Sequence, residues 1–195
     1  MLKRLDDRIN SLLDRYKIRA LKDVFFFMLI TIVIHFSWRG WAYDTNYWPI
    51  GEWIRQAQDF MANIVYIQSS WFNEHVLGLE FSTEGKTMYF VNNGYIAVNR
   101  GCSGLKLFTQ WALLMMLYPG PWKKKLWYIP MGVVIVHLTN LFRIIGLSVV
   151  IIHWPQHWDF SHEYLFRPFF YVIIFSMWVL WVERVGKSKG RRAKS

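Results

Sequence analysis

The residue with the clearest chemical potential is Cys102, the single cysteine of the 195-residue chain. It lies in residues 99–106 (NRGCSGLK), where small and polar residues precede a long apolar run. A lone cysteine makes no intramolecular disulfide, so it is a packing residue, a metal ligand or a nucleophile. An apolar helix that starts directly after it favours the thiolate, because the positive end of a helix dipole stabilises an anion. Cys102 is therefore the candidate nucleophile.

Two further residues, Arg143 and His162, suit a reaction that begins with a thiolate. Arg143 lies within a long apolar segment, where an arginine is costly and by default marks a functional site. It can stabilise the thiolate or the oxyanion that forms when a peptide carbonyl is attacked. His162 precedes the last apolar segment and can supply a proton to a leaving amine. Cys102, Arg143 and His162 thus form a candidate catalytic set for acyl transfer.

Three neighbours have candidate supporting roles. Ser103 can cap the helix that follows Cys102. Asn140, like Thr139 beside it, shares a helix face with Arg143 and can orient it. Lys106, one turn after Cys102, can favour the thiolate through its charge. Ser103 and Lys106 also form an alternative Ser–Lys pair, although the adjacent thiol is the better nucleophile.

Each of these features also has a simpler explanation. Cys102 can be a buried packing residue, and Arg143 can extend its charge to the outer membrane interface. His137, deep in an apolar segment, is interpreted as a hydrogen-bonded helix-packing residue. We predict no metal and no cofactor. Zinc binding is nevertheless an alternative, with the candidate ligands His153, His157, His162, Asp159 and Glu163.

The elements that carry these residues have the composition of membrane helices. The chain is 54% hydrophobic and 19% aromatic, above the mixture expected of a soluble domain. A membrane-spanning helix needs about 20 mostly apolar residues. The sequence predicts an all-α integral membrane protein with about four transmembrane helices, at residues 24–41, 104–119, 126–152 and 165–182.

The distribution of basic residues indicates the orientation of these helices. Of the 23 Lys and Arg residues, 16 lie before the first predicted span, between the second and third, or after the fourth. Because basic residues favour the cytoplasmic side, both termini are predicted to be cytoplasmic, and residues 42–103 and 153–164 to face outward. This placement argues against nucleic acid as a partner, although the net charge is +10. Arg143 lies 17 residues beyond Leu126, about 25 Å along a helix, and so reaches the outer level of Cys102 and His162.

The outward segment is predicted to contain a helix and a small β-hairpin. Residues 51–72 carry apolar side chains at the helical period, and such a helix rests on or dips into the outer leaflet. Turn signals occur at residues 82–85 and at Asn92-Asn93-Gly94. Residues 88–91 and 95–98 suit the strands of a hairpin that leads to Cys102.

The two ends of the chain complete the predicted organisation, a single membrane domain over residues 1–195. Residues 1–22 are predicted to form an amphipathic helix on the cytoplasmic membrane surface, in contact with membrane lipids. The same pattern also suits a helix packed on the cytoplasmic loop. Residues 183–195 are predicted to be a basic tail, of which residues 186–195 (GKSKGRRAKS) are disordered.

The order of Cys102, Arg143 and His162 along the chain, with their common predicted membrane depth, resembles the pattern of the exosortase/archaeosortase family. The sequence GCSGL precedes a membrane helix, NLFR lies within the next, and a histidine precedes the last. The resemblance covers approximately residues 95–182. The chain is similar to the short exosortases found in Bacteroidetes.

The resemblance implies a multi-pass protein of the cell inner membrane, with its active site on the periplasmic side. Such proteins act as membrane cysteine proteases or transpeptidases through a thioester acyl-enzyme. Their implied partners are exported proteins that end in a sorting signal, made of a short motif, a transmembrane helix and a basic cluster. The implied acceptor is linked to polysaccharide or lipid. The family's cysteine, arginine and histidine correspond to Cys102, Arg143 and His162; for the third position His153, His157 and Arg167 remain alternatives.

Two functions of other classes stay open at this point. The aromatic-rich outer helix, with no nucleotide-binding motif in the chain, is compatible with a non-catalytic membrane scaffold for surface export. The outer histidines are compatible with a metal-dependent membrane hydrolase. The scaffold predicts that replacing the thiol of Cys102 has no effect, whereas the hydrolase predicts sensitivity to a chelator.

Overall fold

The computed structural model of the chain describes residues 18–43, 50–92, 94–118 and 120–192. The chain divides into two compact units, Met1–Asp44 and Thr45–Ser195. Helix α1 (Ile18–Tyr43) belongs to the first unit, and its apolar part covers Val24–Gly40. The amphipathic helix predicted at residues 1–22 falls outside the described residues, apart from residues 18–22, which begin α1.

The second unit contains the site, carried by helices and a small sheet. The long helices are α2 (Ile50–His75), α3 (Leu105–Leu117), α4 (Trp122–His153) and α6 (Arg167–Arg192). Between α4 and α6 the backbone forms three short turns that differ in winding. These turns are a 3₁₀ turn (Pro155–His157), a single α-helical turn α5 (Trp158–Phe160) and a π-helical turn (Ser161–Phe166).

Two segments of the described chain are long and apolar enough to cross a membrane, Trp122–His153 and Pro155–Arg184. On α4 the large apolar side chains of Val134, Leu138 and Phe142 are exposed. They recur every four residues, so they form one stripe along the helix that suits contact with lipid. Helix α3 has 13 residues, about 20 Å in length, which is less than the bilayer's hydrocarbon core of about 30 Å. The number of spans therefore stays a prediction.

The sheet has three antiparallel strands, where the sequence predicted a hairpin of two. The strands are β1 (Phe81–Glu84), β2 (Thr87–Phe90) and β3 (Tyr95–Ala97), in the order β1-β2-β3. Most of the turn predicted at residues 82–85 forms β1. Gly85 adopts a φ of +59°, and this left-handed conformation compresses the reversal so that Glu84 pairs directly with Thr87. The polar residues before Gly85 are therefore strand residues with exposed side chains.

The core of this unit joins helix α2, the sheet, helix α4 and the π-helical turn. Its buried members converge around the cysteine: Ala62, Val65, Met88, Phe90, Ile96, Val98, Cys102, Ile144, Leu147 and Phe166. Burying these apolar side chains holds β3 and the segment after it against α4. The position of Cys102 is thus set by the main core of the unit.

Polar contacts also link α2 to α4. The side chain of His137 lies 2.8 Å from Gln68 Oε1, and Asn73 Nδ2 donates to Ser148 Oγ over 2.8 Å. The interpretation of His137 as a hydrogen-bonded helix-packing residue is confirmed. Helix α2, predicted at residues 51–72, is therefore fixed to α4 at two points.

The basic segments at the predicted cytoplasmic side are more ordered than the sequence suggested. Lys125 is buried and donates through Nζ to the carbonyls of Met116 (3.0 Å) and Tyr118 (2.6 Å). These bonds stabilise the connection between α3 and α4, because they supply donors to carbonyls at the end of α3. Helix α6 continues to Arg192, so most of the segment predicted to be disordered, residues 186–195, is helical.

Candidate active site

Cys102 ends a short 3₁₀ turn, Arg100–Cys102, that follows strand β3. Asn99 initiates this turn: its Oδ1 accepts from the Gly101 N–H over 2.9 Å, and its carbonyl accepts from the Cys102 N–H over 2.9 Å. An asparagine suits this position because its short side chain mimics a backbone turn. The turn fixes the backbone on which the thiol is carried.

Gly104 makes the transition from this turn into helix α3. It is the N-cap residue, with a left-handed φ of +74°, which favours glycine. A Cβ atom at this position would lie 3.2 Å from Phe108 Cζ and 3.3 Å from Asn140 Nδ2. The cap predicted at Ser103 is thus one residue early, although Ser103 Oγ accepts from the Leu105 N–H over 3.3 Å.

Arg143 reaches the thiol from helix α4. Its Nη2 lies 3.4 Å from Cys102 Sγ, a distance at which a guanidinium stabilises a thiolate. Its guanidinium carbon lies 5.8 Å from the ring centre of Phe170, which adds a cation–π contact. Arg143 Nε is buried and donates to no described residue. Cys102 itself is only 9% exposed.

Asn140 holds the backbone of the same cysteine. Its Nδ2 donates to the Cys102 carbonyl over 2.6 Å, and its side chain is buried. Asn140 and Arg143 are three residues apart and share one face of α4. This face therefore contacts both the carbonyl and the sulfur of Cys102. Sequence reasoning predicted that Thr139 and Asn140 orient Arg143. Instead, Asn140 contacts the cysteine, and Thr139 donates to the Ile135 carbonyl of its own helix.

His162 lies in the π-helical turn between α5 and α6. Its ring stacks on Trp158, with the ring centres 5.9 Å apart and the planes only 2° from parallel. Trp158 was not among the predicted site residues. The signal that could have identified it is its spacing, since a residue four positions earlier in a helical segment lies on the same face.

A cavity of about 680 Å³ connects these residues. Cys102, Arg143, His162 and Trp158 line it, together with residues of β3 and the apolar face of α4. Arg167, the alternative candidate for the third position, also lines the cavity, and its Nη1 lies 3.4 Å from Glu163 Oε1. The structure thus brings all three predicted catalytic residues and Arg167 to one cavity.

Other candidates lie apart from this cavity. Ser103 and Lys106 are not among its lining residues, and neither are His153 and His157, which are exposed. Across the part of the chain that the structure describes, no group of three or more His, Cys, Asp or Glu side chains is placed to hold a metal ion. The zinc alternative therefore has no ligand set among these residues.

An ion pair that sequence reasoning missed connects the cysteine turn to helix α2. Arg100 Nη2 donates to Asp59 Oδ2 over 2.7 Å, and Arg100 Nε lies 2.9 Å from Oδ1. Lys86 Nζ is 3.8 Å from the same carboxylate. The hydrogen bonds from Arg100 lower the pKa of the Asp59 carboxyl group. No local sequence signal marks this pair, because its members are 41 residues apart.

The arrangement has the parts that an acyl transfer needs. A sole thiol lies next to a permanent cation, and an imidazole lines the same cavity. A family model described as transmembrane exosortase (Exosortase_EpsH) matches residues 24–182 of the chain. No curated protein and no solved structure shows a match.

Proposed function

Because the chain belongs to the transmembrane exosortase family, we propose that this membrane protein is a cysteine peptidase or transpeptidase. Its proposed substrates are exported proteins with a carboxy-terminal sorting signal. The observation that carries the proposal is the 3.4 Å contact between Arg143 Nη2 and Cys102 Sγ. This contact lies at a cavity that His162 also lines. A permanent cation beside the only thiol of a chain is a costly arrangement unless the thiol reacts as an anion.

The first proposed step forms a thioester. The proton of the Cys102 thiol passes to His162, and the thiolate attacks the carbonyl carbon of the scissile peptide bond. Negative charge then develops on the carbonyl oxygen, which Arg143 stabilises through its N–H donors. His162 returns the proton to the leaving nitrogen as the carbon–nitrogen bond breaks. The amino-terminal part of the substrate is now held as a thioester on Cys102.

The second proposed step resolves this thioester. An incoming nucleophile attacks the thioester carbonyl and loses its proton to His162, and Cys102 leaves as the thiolate. Water as the nucleophile gives hydrolysis. An amine or hydroxyl of a polysaccharide-linked or lipid-linked acceptor gives a transpeptidation or transfer product. The same residues serve both outcomes.

We place the reaction at the periplasmic side of the cell inner membrane, with both termini of the chain in the cytoplasm. The substrate's transmembrane helix lies beside the membrane helices that carry the site, and its basic cluster stays on the cytoplasmic side. Its scissile bond then reaches the level of Cys102. Lys123, Lys124 and the basic residues near the end of the chain support this orientation.

The experiment that tests the proposal compares the wild-type protein with Cys102→Ala in membranes. The probe is an exported protein from the same cell that ends in a short motif, an apolar helix and a basic cluster. Processing is followed by gel shift, and a thioester adduct on Cys102 is sought by mass spectrometry. We expect processing and the adduct in the wild type and neither in Cys102→Ala. Processing that persists in Cys102→Ala would overturn the proposal and favour the scaffold.

The role of His162 is tested with a matched histidine. We expect His162→Ala to lower the processing rate by about 100-fold or more, as for loss of a general acid–base group. His157→Ala is the control, because His157 is exposed and does not line the cavity. Equal rates for the two variants would exclude His162 from proton transfer.

A further inference from the structure

Strand β3 has a free edge beside the candidate nucleophile. In the sheet order β1-β2-β3, its only sheet partner among the described residues is β2. Tyr95, Ile96 and Ala97, which constitute β3, all line the cavity that contains Cys102. Free strand edges are sites where an extended peptide can add a further strand. The edge of β3 therefore offers main-chain hydrogen bonds in the cavity that the thiol also lines.

The ladder between β2 and β3 shows which backbone groups point to this edge. Phe90 N–H donates to the Gly94 carbonyl over 2.8 Å, and Val98 N–H donates to the Lys86 carbonyl over 2.9 Å. Hydrogen-bonded and non-hydrogen-bonded pairs alternate along an antiparallel ladder. Tyr95 and Ala97 are therefore in non-hydrogen-bonded pairs, and their N–H and C=O groups point away from β2. Both residues are exposed.

The part of the cavity along this edge forms a groove that is narrow at Gly94 and has Asn99 and Cys102 in its lining at the other end. A Cβ atom at Gly94 would lie 2.6 Å from Ile151 Cγ1, so β3 and α4 are in close contact there. Asn92 reinforces this contact by donating through Nδ2 to the Ile151 carbonyl over 2.7 Å. From Gly94 to Asn99 an extended chain covers about 17 Å at 3.3 Å per residue. The groove thus accommodates about five residues before the thiol.

We propose that the substrate segment preceding the scissile bond binds in extended conformation as an added strand on the free edge of β3. The segment runs parallel to β3, because β3 leads toward Cys102 and the attacked carbonyl lies at the carboxy-terminal end of the segment. Its main chain pairs with the outward N–H and C=O groups of Tyr95 and Ala97. This inference rests on the proposed function and specifies how the substrate is recognised: through its backbone, over about five residues.

The probes are N-acetyl oligoalanine chloromethyl ketones of one to seven residues, which alkylate the thiol without specific side chains. Intact mass follows the reaction, and peptide mapping assigns the adduct to Cys102. We expect the rate to rise about tenfold or more as the probe lengthens, since each added main-chain hydrogen bond stabilises the bound probe. The rate should stop rising at about five residues. Chloroacetamide, which has no peptide chain, reports in every variant whether Cys102 stays reactive.

The variant that tests the edge is Ala97→Pro. Proline removes an outward N–H and leaves the ladder bonds to β2 intact, the one arrangement in which strands tolerate it. Thr83→Pro is the matched control. Thr83 lies in β1, at the opposite edge of the sheet, and its N–H also points away from β2. It does not line the cavity. We expect the length-dependent gain to disappear in Ala97→Pro and to persist in Thr83→Pro.

A second measurement uses only the wild-type protein. N-methylation of one residue at a time in the five-residue probe removes one donor from the probe backbone. Because an added strand pairs through alternate residues, we expect the rate to fall at every second position. If Ala97→Pro also loses its reaction with chloroacetamide, that variant no longer reports on the edge, and the N-methyl series tests strand addition without it.

The outcomes separate this inference from the proposed function. A wild-type rate that is independent of probe length, or N-methyl effects without alternation, would overturn strand addition while Cys102-dependent processing stands. A rise of the rate with probe length that persists in Ala97→Pro would also overturn strand addition. Processing that survives Cys102→Ala would overturn both.

Discussion

The side-chain amide of Asn140 donates a hydrogen bond to the backbone carbonyl of Cys102 over 2.6 Å. Both groups are buried, and a buried carbonyl that loses its donor costs about 1–3 kcal/mol. We expect Asn140→Ala to lower the free energy of unfolding by about that amount and to slow the alkylation of Cys102. Thermal unfolding in detergent and chloroacetamide labelling measure the two effects.

The control for Asn140 is its neighbour. Thr139 Oγ1 donates to the Ile135 carbonyl within the same helix, so Thr139→Val leaves the cysteine turn untouched. Equal labelling rates for Asn140→Ala and the wild type would mean that the bond to Cys102 does not position the thiol.

Arg143 is expected to act through its positive charge and through the several N–H donors of its planar guanidinium group. Arg143→Gln removes the cation beside Cys102 Sγ, and we expect processing to slow about 10²–10³-fold, as for loss of an oxyanion donor. Arg143→Lys keeps the charge without the planar guanidinium group, so the processing rate should fall less than in Arg143→Gln. Arg55→Gln is the control, since Arg55 pairs with Glu52 and does not line the cavity. The role fails if Arg143→Gln processes substrate at the wild-type rate.

Alanine substitutions at two glycines with similar backbone conformations distinguish the effect of backbone strain from that of steric contact. Gly104 and Gly78 have φ values of +74° and +63°, so alanine at either position costs about 1–2 kcal/mol of backbone energy. A Cβ atom at Gly104 also meets Phe108 and Asn140, whereas nothing lies within 4 Å of one at Gly78. We expect both variants to be less stable, and only Gly104→Ala to slow Cys102 labelling. Slower labelling in both would trace the effect to general instability.

The ion pair between Asp59 and Arg100 is expected to be insensitive to pH near neutrality. Hydrogen bonds from Arg100 lower the pKa of the Asp59 carboxyl group. A lowered carboxyl pKa stabilises the fold above the ordinary carboxyl range of about 4, and this contribution is lost only as the pH falls through the lowered value. We expect Asp59→Asn to slow Cys102 labelling by about threefold at pH 7, because exposed ion pairs contribute modestly. The ratio of wild-type to Asp59→Asn rates should approach one in acid; a constant ratio would contradict the role of the charge.

Helix α2 presents an apolar stripe that should contact lipid. Its exposed large apolar residues Trp53, Phe60, Ile67 and Trp71 recur at spacings of seven and four, which places them on one face. We expect brominated lipids to quench Trp53 and Trp71, so that Trp53→Phe and Trp71→Phe each lower the quenchable fraction. Trp181→Phe is the control, because Trp181 is buried. Quenching of Trp53 and Trp71 by aqueous acrylamide instead would place this face in water.

The convergence of Cys102, Arg143 and His162 on one cavity could be anticipated, because helix rise and charge distribution predict a common depth for these distant residues. Their chemical roles stay predictions. The helical segment at residues 51–72 was visible for a similar reason, since its apolar period is long and regular. Both signals are carried by the spacing of residues along the chain.

The features that could not be anticipated depend on tertiary contacts. Ser82, Thr83 and Glu84 have the composition of a turn, and they form a strand because β2 offers them a partner. The Asp59–Arg100 pair and the bond from Asn140 to Cys102 join residues that are 41 and 38 positions apart. Nothing local specifies such partners, since the packing of α2, the sheet and α4 brings them together.

The π-helical turn Ser161–Phe166 makes the segment around His162 tolerant of a change in chain length. A π turn holds one residue more than an α-helical turn of similar rise. Deleting one residue between His162 and Phe166 would therefore let a regular α-helical turn replace it, and Trp158 and His162 would keep their orientation relative to α6. Composition is the more restricted variable, because Phe166 in this turn is buried in the core around Cys102. Among homologous segments we expect one-residue differences in length between His162 and Arg167, with a large apolar side chain retained at the position of Phe166.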